Sequence, residues 1–543
     1  MIRSGTCVPL MFLIAGCGGS ADLPPDNPAG DDSGLGDSGT SSARCEAKVS
    51  LALAAPIAEL NTKVAFPITL QLEDVGGAPG EHPLKLVLLK DGAPVKTLRE
   101  GPATLGKVVE SFSTSDVPGL GVGKYTVEAT LECPAAVQEK KPHTARADLF
   151  VARLGAVRID LGAGDGARVP LMYHAVNNVT ANAFPLTTKI AASSFAIPDG
   201  EADLDDASGA PRTFPDPWKD LVTPKVDPTG AVVEEGVSYP VSLKVGTKPD
   251  VIFTLGKTAK GGLPNVPTGA PALRLVLDGG PAGEAIADKV NVRLDKSPVP
   301  AVDRVDLALQ WRFEAKADDG WKAIPGAVQK ATLRVYGVLG NELGTTAPNL
   351  PWVAVVDAAT AKIAGKTADP AEVRKTLVQM VYEEFGLRYD RKSGASFYTS
   401  YTSGYSGARF DLTSFLKRSR GNTVNCTDCA SILSTYSNMV GAKLHYAIIG
   451  YGFSLNPIMG IGSSAFGSPF DSGKMGFNYH AVTTPDATKT IDDATLALDG
   501  DGDPKVAPQT KLLVQEVSGS EYLTRLSPGT PEYKYVDEAT SVR

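Results

Sequence analysis

Cys426 and Cys429 stand three positions apart, and two histidines, His445 and His480, follow them. A cysteine attacks carbonyl carbon as its thiolate. It turns over acyl groups only when a base takes and returns its proton and a carboxylate orients that base. Asn425 precedes Cys426, and from Cys429 onward Ile432, Leu433, Tyr436 and Val440 recur at intervals of three and four. That spacing predicts a helix with one buried face, capped by Asn425 and ended by Gly441. Cys426 then takes the first helical position, where the positive end of the helix dipole favours a thiolate and free backbone amides can hold an oxyanion. Asp428 opposes that charge.

His480 lies on the strand-like run 477–483, with turn residues after it and a second run from Lys489. A four-residue loop, 485–488, sets His480 opposite Asp493. A three-residue loop presents Asp492 instead, because a register slip of one swaps the faces. Spacing alone leaves both open. The Cys426-x-x-Cys429 pair at a helix start is also the arrangement of thiol–disulfide oxidoreductases. Cys426, Cys429, His445 and His480 are ligand types that zinc accepts, but the histidines form no compact knuckle, so no metal is expected.

These groups need a scaffold, and near residue 350 the apolar period changes from two to about 3.6. Asp369 as cap and Pro370 as first residue open a helix with apolar face Val373, Leu377, Val381 and Phe385, ended by Gly386. A short helix follows at 412–416. The segments 397–405 and 456–476, rich in Tyr, Ser and Gly, flank the reactive residues and read either as cleft walls or as simple surface loops. Upstream the pattern is strand. Over 45–154 the alternation is clearest at Tyr125, Val127, Ala129 and Leu131, which suggests an immunoglobulin-like β-sandwich serving as spacer or binding module. Residues 155–345 carry further strand signals, among them Val305, Leu307, Leu309, Trp311 and Phe313, and make one or two more β-rich domains. The acidic cluster at 199–206 lacks the glycine and the closing glutamate of a calcium loop, and after 499–503 Pro504 stands where such a loop needs glycine, so both read as exposed loops.

At 543 residues the chain is too long for one core, and a net charge of −8 without a basic patch disfavours nucleic acid as a partner. Residues 1–16 read as a signal peptide, with Arg3 before a short apolar run that cannot span a bilayer. Ile14-Ala15-Gly16-Cys17 resembles the bacterial lipobox. The resemblance implies cleavage before Cys17, lipid on Cys17, and a membrane anchor in the bacterial cell envelope, on the periplasmic side or the cell surface. Gly18 in place of Asp points to the outer membrane. An ordinary secretory peptide is the alternative. Residues 17–44, rich in Gly, Ser, Asp and Pro, form a disordered tether. Outside the cytosol disulfides persist, and Cys45 and Cys133, at the margins of the first sandwich, are predicted to pair.

Three stretches, in order, resemble the transglutaminase-like superfamily. Asn425-Cys426-Thr427-Asp428-Cys429-Ala430 looks like its nucleophile motif, Tyr479-His480-Ala481-Val482 like its His-Ala motif, and Asp493-Ala494-Thr495 like its Asp-x-Thr, which favours Asp493 over Asp492. The resemblance implies an α+β, papain-like domain over 346–543 behind the all-β part. It implies Cys426 as nucleophile, His480 as general base and acid, Asp493 as orienting carboxylate, and no cofactor. The substrate would be a protein or peptide amide, converted to a Cys thioester and passed to an amine or to water by a protease, transglutaminase or deamidase. Cys429 and Val482 stand where the family usually has aromatic residues, and no Trp lies close before Cys426. A non-catalytic surface protein with a degenerate transglutaminase-like fold is the competing reading.

Overall fold

The computed structural model describes residues 44–162 except 79, the stretches 166–169, 171–173, 188–190 and 195–196, then 240–255, 266–344 except 287, 349–401, 408–485, and 490–542 except 502, 504–505, 530 and 536–540. Cys17, the signal peptide, the tether to residue 43 and the acidic cluster at 199–206 lie outside these. The described chain is β-rich and divides into several sheets.

Alternating apolar side chains build the first unit. One sheet runs in the order Gly106–Phe112, Phe66–Asp74, Arg44–Leu53, Glu139–Lys141, and the other Ile57–Glu59, His143–Ala152, Gly123–Leu131, His82–Lys90, Ala93–Ala103. Tyr125, Val127, Ala129 and Leu131 all turn inward, as a period of two requires. Cys45 and Cys133 are joined by a disulfide with Cα atoms 5.9 Å apart. This ties the first strand to the chain leaving Gly123–Leu131.

The apolar core then continues into the second unit. Within that unit the Gln329 side-chain oxygen accepts both the Ala156 amide at 2.9 Å and the Trp311 indole N–H at 3.0 Å, so one buried amide ties the strand Ala156–Leu161 to the hairpin that carries Trp311 and Gln329. Gly326 has φ 80°, and a Cβ there would lie 2.5 Å from the Thr62 hydroxyl; only glycine fits both demands. The long hairpin Asp303–Ala317 with Gly320–Val338 dominates this unit, with Trp311 and Phe313 buried on it.

Helices enter after residue 350. The first, α1 (Val353–Ile363), has no counterpart in the sequence reading: its Val-Ala-Val-Val start suits a strand equally, and Trp352 offers no capping side chain. Burial of Val355, Val356, Ala359 and Ile363 decides in favour of helix. Next come α2 (Pro370–Gln379), capped by Asp369 accepting from the Ala371 amide, then α3 (Leu412–Leu416) and α4 (Cys426–Met439). The sheet behind them contains β1 (His445–Ile449), β2 (His480–Thr484), β3 (Thr490–Asp499) and β4 (Lys511–Ser518), and α5 (Gly519–Leu526) follows. In the sheet β2 lies between β1 and β3, and β4 also pairs with β3.

One buried face was expected for α4, but every residue of it is buried. Its small residues let neighbours approach on all sides; Ser434 and Asn438 find partners within the core, while the buried hydroxyls of Ser431, Thr435 and Ser437 have none among the described residues. Ser434 donates to the Ala430 carbonyl at 2.8 Å, and Asn438 brackets the Leu444 backbone at 2.7 and 2.8 Å. Across the sheet Arg374 of α2 pairs with Glu516 of β4 and approaches Asp492 of β3 at 3.5 Å. Burial raises the Asp492 carboxyl to about 6, although the Glu516 amide and Arg374 pull it down.

Two outcomes follow from these contacts. Replacing both Cys45 and Cys133 by Ala lowers the unfolding free energy by about 2–5 kcal/mol, read from the denaturant midpoint. Asp492 has a folded-state pKa above its unfolded value near 3.9, so the charge it acquires costs stability as pH rises from about 4 to about 6. Asp492→Asn keeps an oxygen for the Glu516 amide and removes that cost. Relative to wild type, the variant therefore gains melting temperature across that window and holds the gain above it.

Candidate active site

The site begins at a helix cap. Asn425 accepts the Asp428 amide at 3.0 Å, and the Asp428 carboxylate reaches back to the Asn425 amide at 3.4 Å, a reciprocal capping box. Cys426 is thereby held at the first helical position, in one buried cluster with Tyr446, Ile448 and Ala481 of β1 and β2. It is 3% exposed.

Asp428 does more than cap. Its oxygens accept the Ser396 hydroxyl at 2.7 Å and the Phe397 and Tyr398 amides at 2.8 and 2.9 Å, fixing the start of the segment read either as a cleft wall or as a surface loop. Burial pushes its carboxyl up, and these donors draw it back. Asn425 in turn donates to the Gly394 carbonyl at 3.0 Å. A Cβ on Gly394 would sit 3.6 Å from the Tyr389 hydroxyl, which puts that phenol beside the helix start. Burial first, then the neighbouring Cys426 and Cys429, hold the Tyr389 phenol well above its ordinary range.

His480 opens β2 and is fully buried. Its Nε2–H donates to Asp493 Oδ2 at 2.8 Å. Nδ1 is buried and makes no hydrogen bond among the described residues, and Cys426 lies near enough to influence the charge of the ring. Burial works against the imidazolium, but the charge and hydrogen bond of Asp493, together with Cys426, outweigh it and raise His480 to about 10. Phe477 stacks on the ring with centroids 5.1 Å apart and planes 7° from parallel, which fixes the plane of the imidazole.

The register differs from both loops considered. Thr483, not His480, is opposite Asp492, so the hairpin is longer by two residues than the four-residue loop requires. A shift of two preserves the face. Asp493 therefore stays on the His480 side, as a diagonal rather than a directly opposed partner. Asp492 points away, to Glu516 and Arg374.

Two partners of Asp493 escaped sequence reasoning. The Thr495 amide donates to Oδ1 at 2.7 Å, and the Tyr522 hydroxyl donates to Oδ2 at 2.7 Å. Tyr522 sits on α5, and its only local sign was an apolar pair with Leu526 one helical turn on. Cys429 is fully buried; its thiol is pushed up by burial, then by the charges of Asp428 and Asp493.

His445 pairs with Thr484, at the far end of β1 from Ile449, which pairs with His480. Four residues of strand separate the two histidines by roughly 13 Å, so they do not converge with the cysteines on one ion. Among the described residues the one group with metal-ligand spacing is Cys45, Asp74 and His82, whose cysteine is in the disulfide. A cavity of about 430 Å³ is lined by Tyr389 together with Arg388, Lys392, Ile461 and Ser468; neither Cys426 nor His480 lines it.

No protein family and no curated protein matches the sequence. Among solved structures, the Escherichia coli adhesin FdeC aligns over 53% of this chain and 64% of its own, at 12% identity and a TM-score of 0.17. A Salmonella alpha-2-macroglobulin aligns over 54% of this chain and 21% of its own, at 8% identity and a TM-score of 0.15. The alpha-2-macroglobulin of E. coli aligns over 55% and 22%, at 11% identity and a TM-score of 0.15. The chain thus spans less than two thirds of each, and likenesses this slight carry no weight for fold or function.

Proposed function

We propose that residues 346–543 form a transglutaminase-like, papain-like α+β domain that transfers acyl groups through Cys426. The observation that supports this most is the ordered series of a thiol at a helix start, an imidazole beside it, and a buried carboxylate on the far ring nitrogen at 2.8 Å. In this reading Cys426 Sγ attacks the carbonyl carbon of a protein or peptide amide. His480, carrying its proton as far as about pH 10, delivers it to the departing amine. Water or a second amine then enters against the thioester, gives its proton to His480, and displaces the sulfur. Asp493 keeps Nε2 protonated and Nδ1 aimed at the thiol. Amides at the start of α4 and the Tyr389 hydroxyl are the donors that face the developing oxyanion.

One observation favours a second reading. Cys426 is 3% exposed, so a substrate carbonyl reaches it only after the surroundings open. A surface-binding protein with a silent site would look the same at rest. Incorporation of a fluorescent amine into casein, ammonia release from it, its cleavage, and the rate of Cys426 alkylation in native protein separate the two. The enzyme reading expects at least one of the casein reactions, together with alkylation that slows on His480→Ala. Cys426→Ala and His480→Ala each cost about 10³-fold or more in turnover. Tyr522→Phe costs roughly tenfold, the worth of one donor to a buried charge. Alkylation indifferent to His480, with no turnover, leaves the binding reading.

The export signal and Cys17 give this protein a lipid anchor in the bacterial envelope, with the β-rich units between membrane and site. Cys17→Ser moves the protein from the membrane fraction to the soluble fraction; retention of the variant in the membrane refutes the anchor.

A further inference from the structure

Cys429 has no part in acyl transfer, yet it stands one helical turn from the nucleophile. Residues three apart in an α-helix have Cα atoms about 5 Å apart, inside the range that a disulfide spans. The Cβ atoms must still close by an ångström or so. The first residue of a helix allows this, since its amide makes no intrahelical bond. The two thiols differ in access. Cys429 is wholly buried within the main core, whereas Cys426 keeps 3% of its surface in contact with solvent. The chain also contains a formed disulfide between Cys45 and Cys133, which belongs to oxidising surroundings, while Cys426 and Cys429 are both free.

We infer that Cys429 is the resolving thiol of a reversible Cys426–Cys429 disulfide that switches the site off. The proposal rests on Cys426 being the reactive thiol, as in the acyl-transfer reading. The oxidant is a small-molecule disulfide. Cys426 Sγ attacks one of its sulfurs; a mixed disulfide forms, and the first small thiolate departs with the proton that Cys426 gave to His480. Cys429 Sγ then attacks Cys426 Sγ, the Cys426–Cys429 bond forms, and the second small thiolate leaves with the Cys429 proton. Two protein thiols are oxidised and one external disulfide is reduced to two thiols. Burial, which keeps the Cys429 thiol protonated, fixes the order: Cys426 meets the oxidant first, and Cys429 acts only on an adduct already inside the site. While the bond lasts Cys426 has no lone nucleophile to offer, and a reducing thiol restores it.

The full chain, reduced and then exposed to a series of glutathione to glutathione disulfide ratios, is quenched in acid, alkylated and mapped by mass spectrometry. Wild type should lose alkylatable Cys426 and Cys429 together, with a peptide lacking two hydrogens, and dithiothreitol should restore both. Cys429→Ala and Cys429→Ser should stop at a glutathione adduct on Cys426. An adduct that persists on wild-type Cys426 as it does on the variants overturns the proposal. So does a pair that stays alkylatable at every ratio leaving Cys45–Cys133 oxidised. Should the variants fold poorly, the wild-type map alone decides between these outcomes. Casein turnover by the reduced wild type is measured beside the map. Turnover without the disulfide rejects the switch alone, and the disulfide without turnover rejects the acyl-transfer reading alone.

Discussion

A carboxylate shut off from water survives as an anion only if donors surround it, because the bare charge would cost several kcal/mol. Asp493 is 1% exposed, and its surroundings are organised by that demand. One donor comes from the head of β2, one from the backbone of β3 itself, and one from α5. The His480 imidazole, the Thr495 amide and the Tyr522 phenol are thereby drawn to one point. Because the His480 ring is held at Nε2 by this carboxylate and across its face by Phe477, its other nitrogen has little freedom in direction. The geometry at Cys426 is thus set largely by what satisfies a charge on the opposite side of the ring.

Asp428 meets the same constraint at the helix start. An acid two residues from a nucleophilic sulfur looks wrong for the chemistry, and the sequence reading took it as an opposing charge. In the fold its oxygens are occupied by one hydroxyl and three backbone amides, which spreads its charge into the cap and the chain at 396–398. Its function in the structure is to fasten the segment beside the site to the helix that presents Cys426. The cost is a like charge nearby, which burial moderates by favouring the protonated acid.

Much of this was legible because it is local. A cap and a first helical position depend on residues within a few positions of each other, so Asn425 and Cys426 could be read from spacing, whereas for His480 spacing left Asp492 and Asp493 both open and the Asp-x-Thr resemblance favoured Asp493. The exact register could not, since Thr483 is opposite Asp492 through a longer loop than either considered. Parity tolerates that error, as a slip of two leaves every side chain on its face. Contacts made across long separations left no comparable mark. Tyr522 lies 29 residues beyond the carboxylate it serves. The full burial of α4 depends on neighbours from many other elements, α1, α2, β1, β2 and β3 among them, and the helical state of Val353–Ile363 on the core it enters rather than on its own sequence.

The buried position of Cys426 places a condition on any chemistry there. Its apolar neighbours are Ala430 on its own helix, Tyr446, Ile448 and Ala481 on central strands, Ala408, and Tyr479. The helix and the central strands are the elements least free to move, for each is paired or packed on both sides. Ala408 belongs to a three-residue strand, Ala408–Phe410, which among the described residues pairs with the short strands Thr399–Tyr401 and Ser541–Val542. Tyr479 precedes β2 and meets α4 through its hydroxyl on Thr427 at 3.0 Å. Short strands open at much lower free energy than a sheet interior. Access to the sulfur therefore lies on the Ala408 side, where opening leaves the helix cap, the imidazole and the buried carboxylate in place.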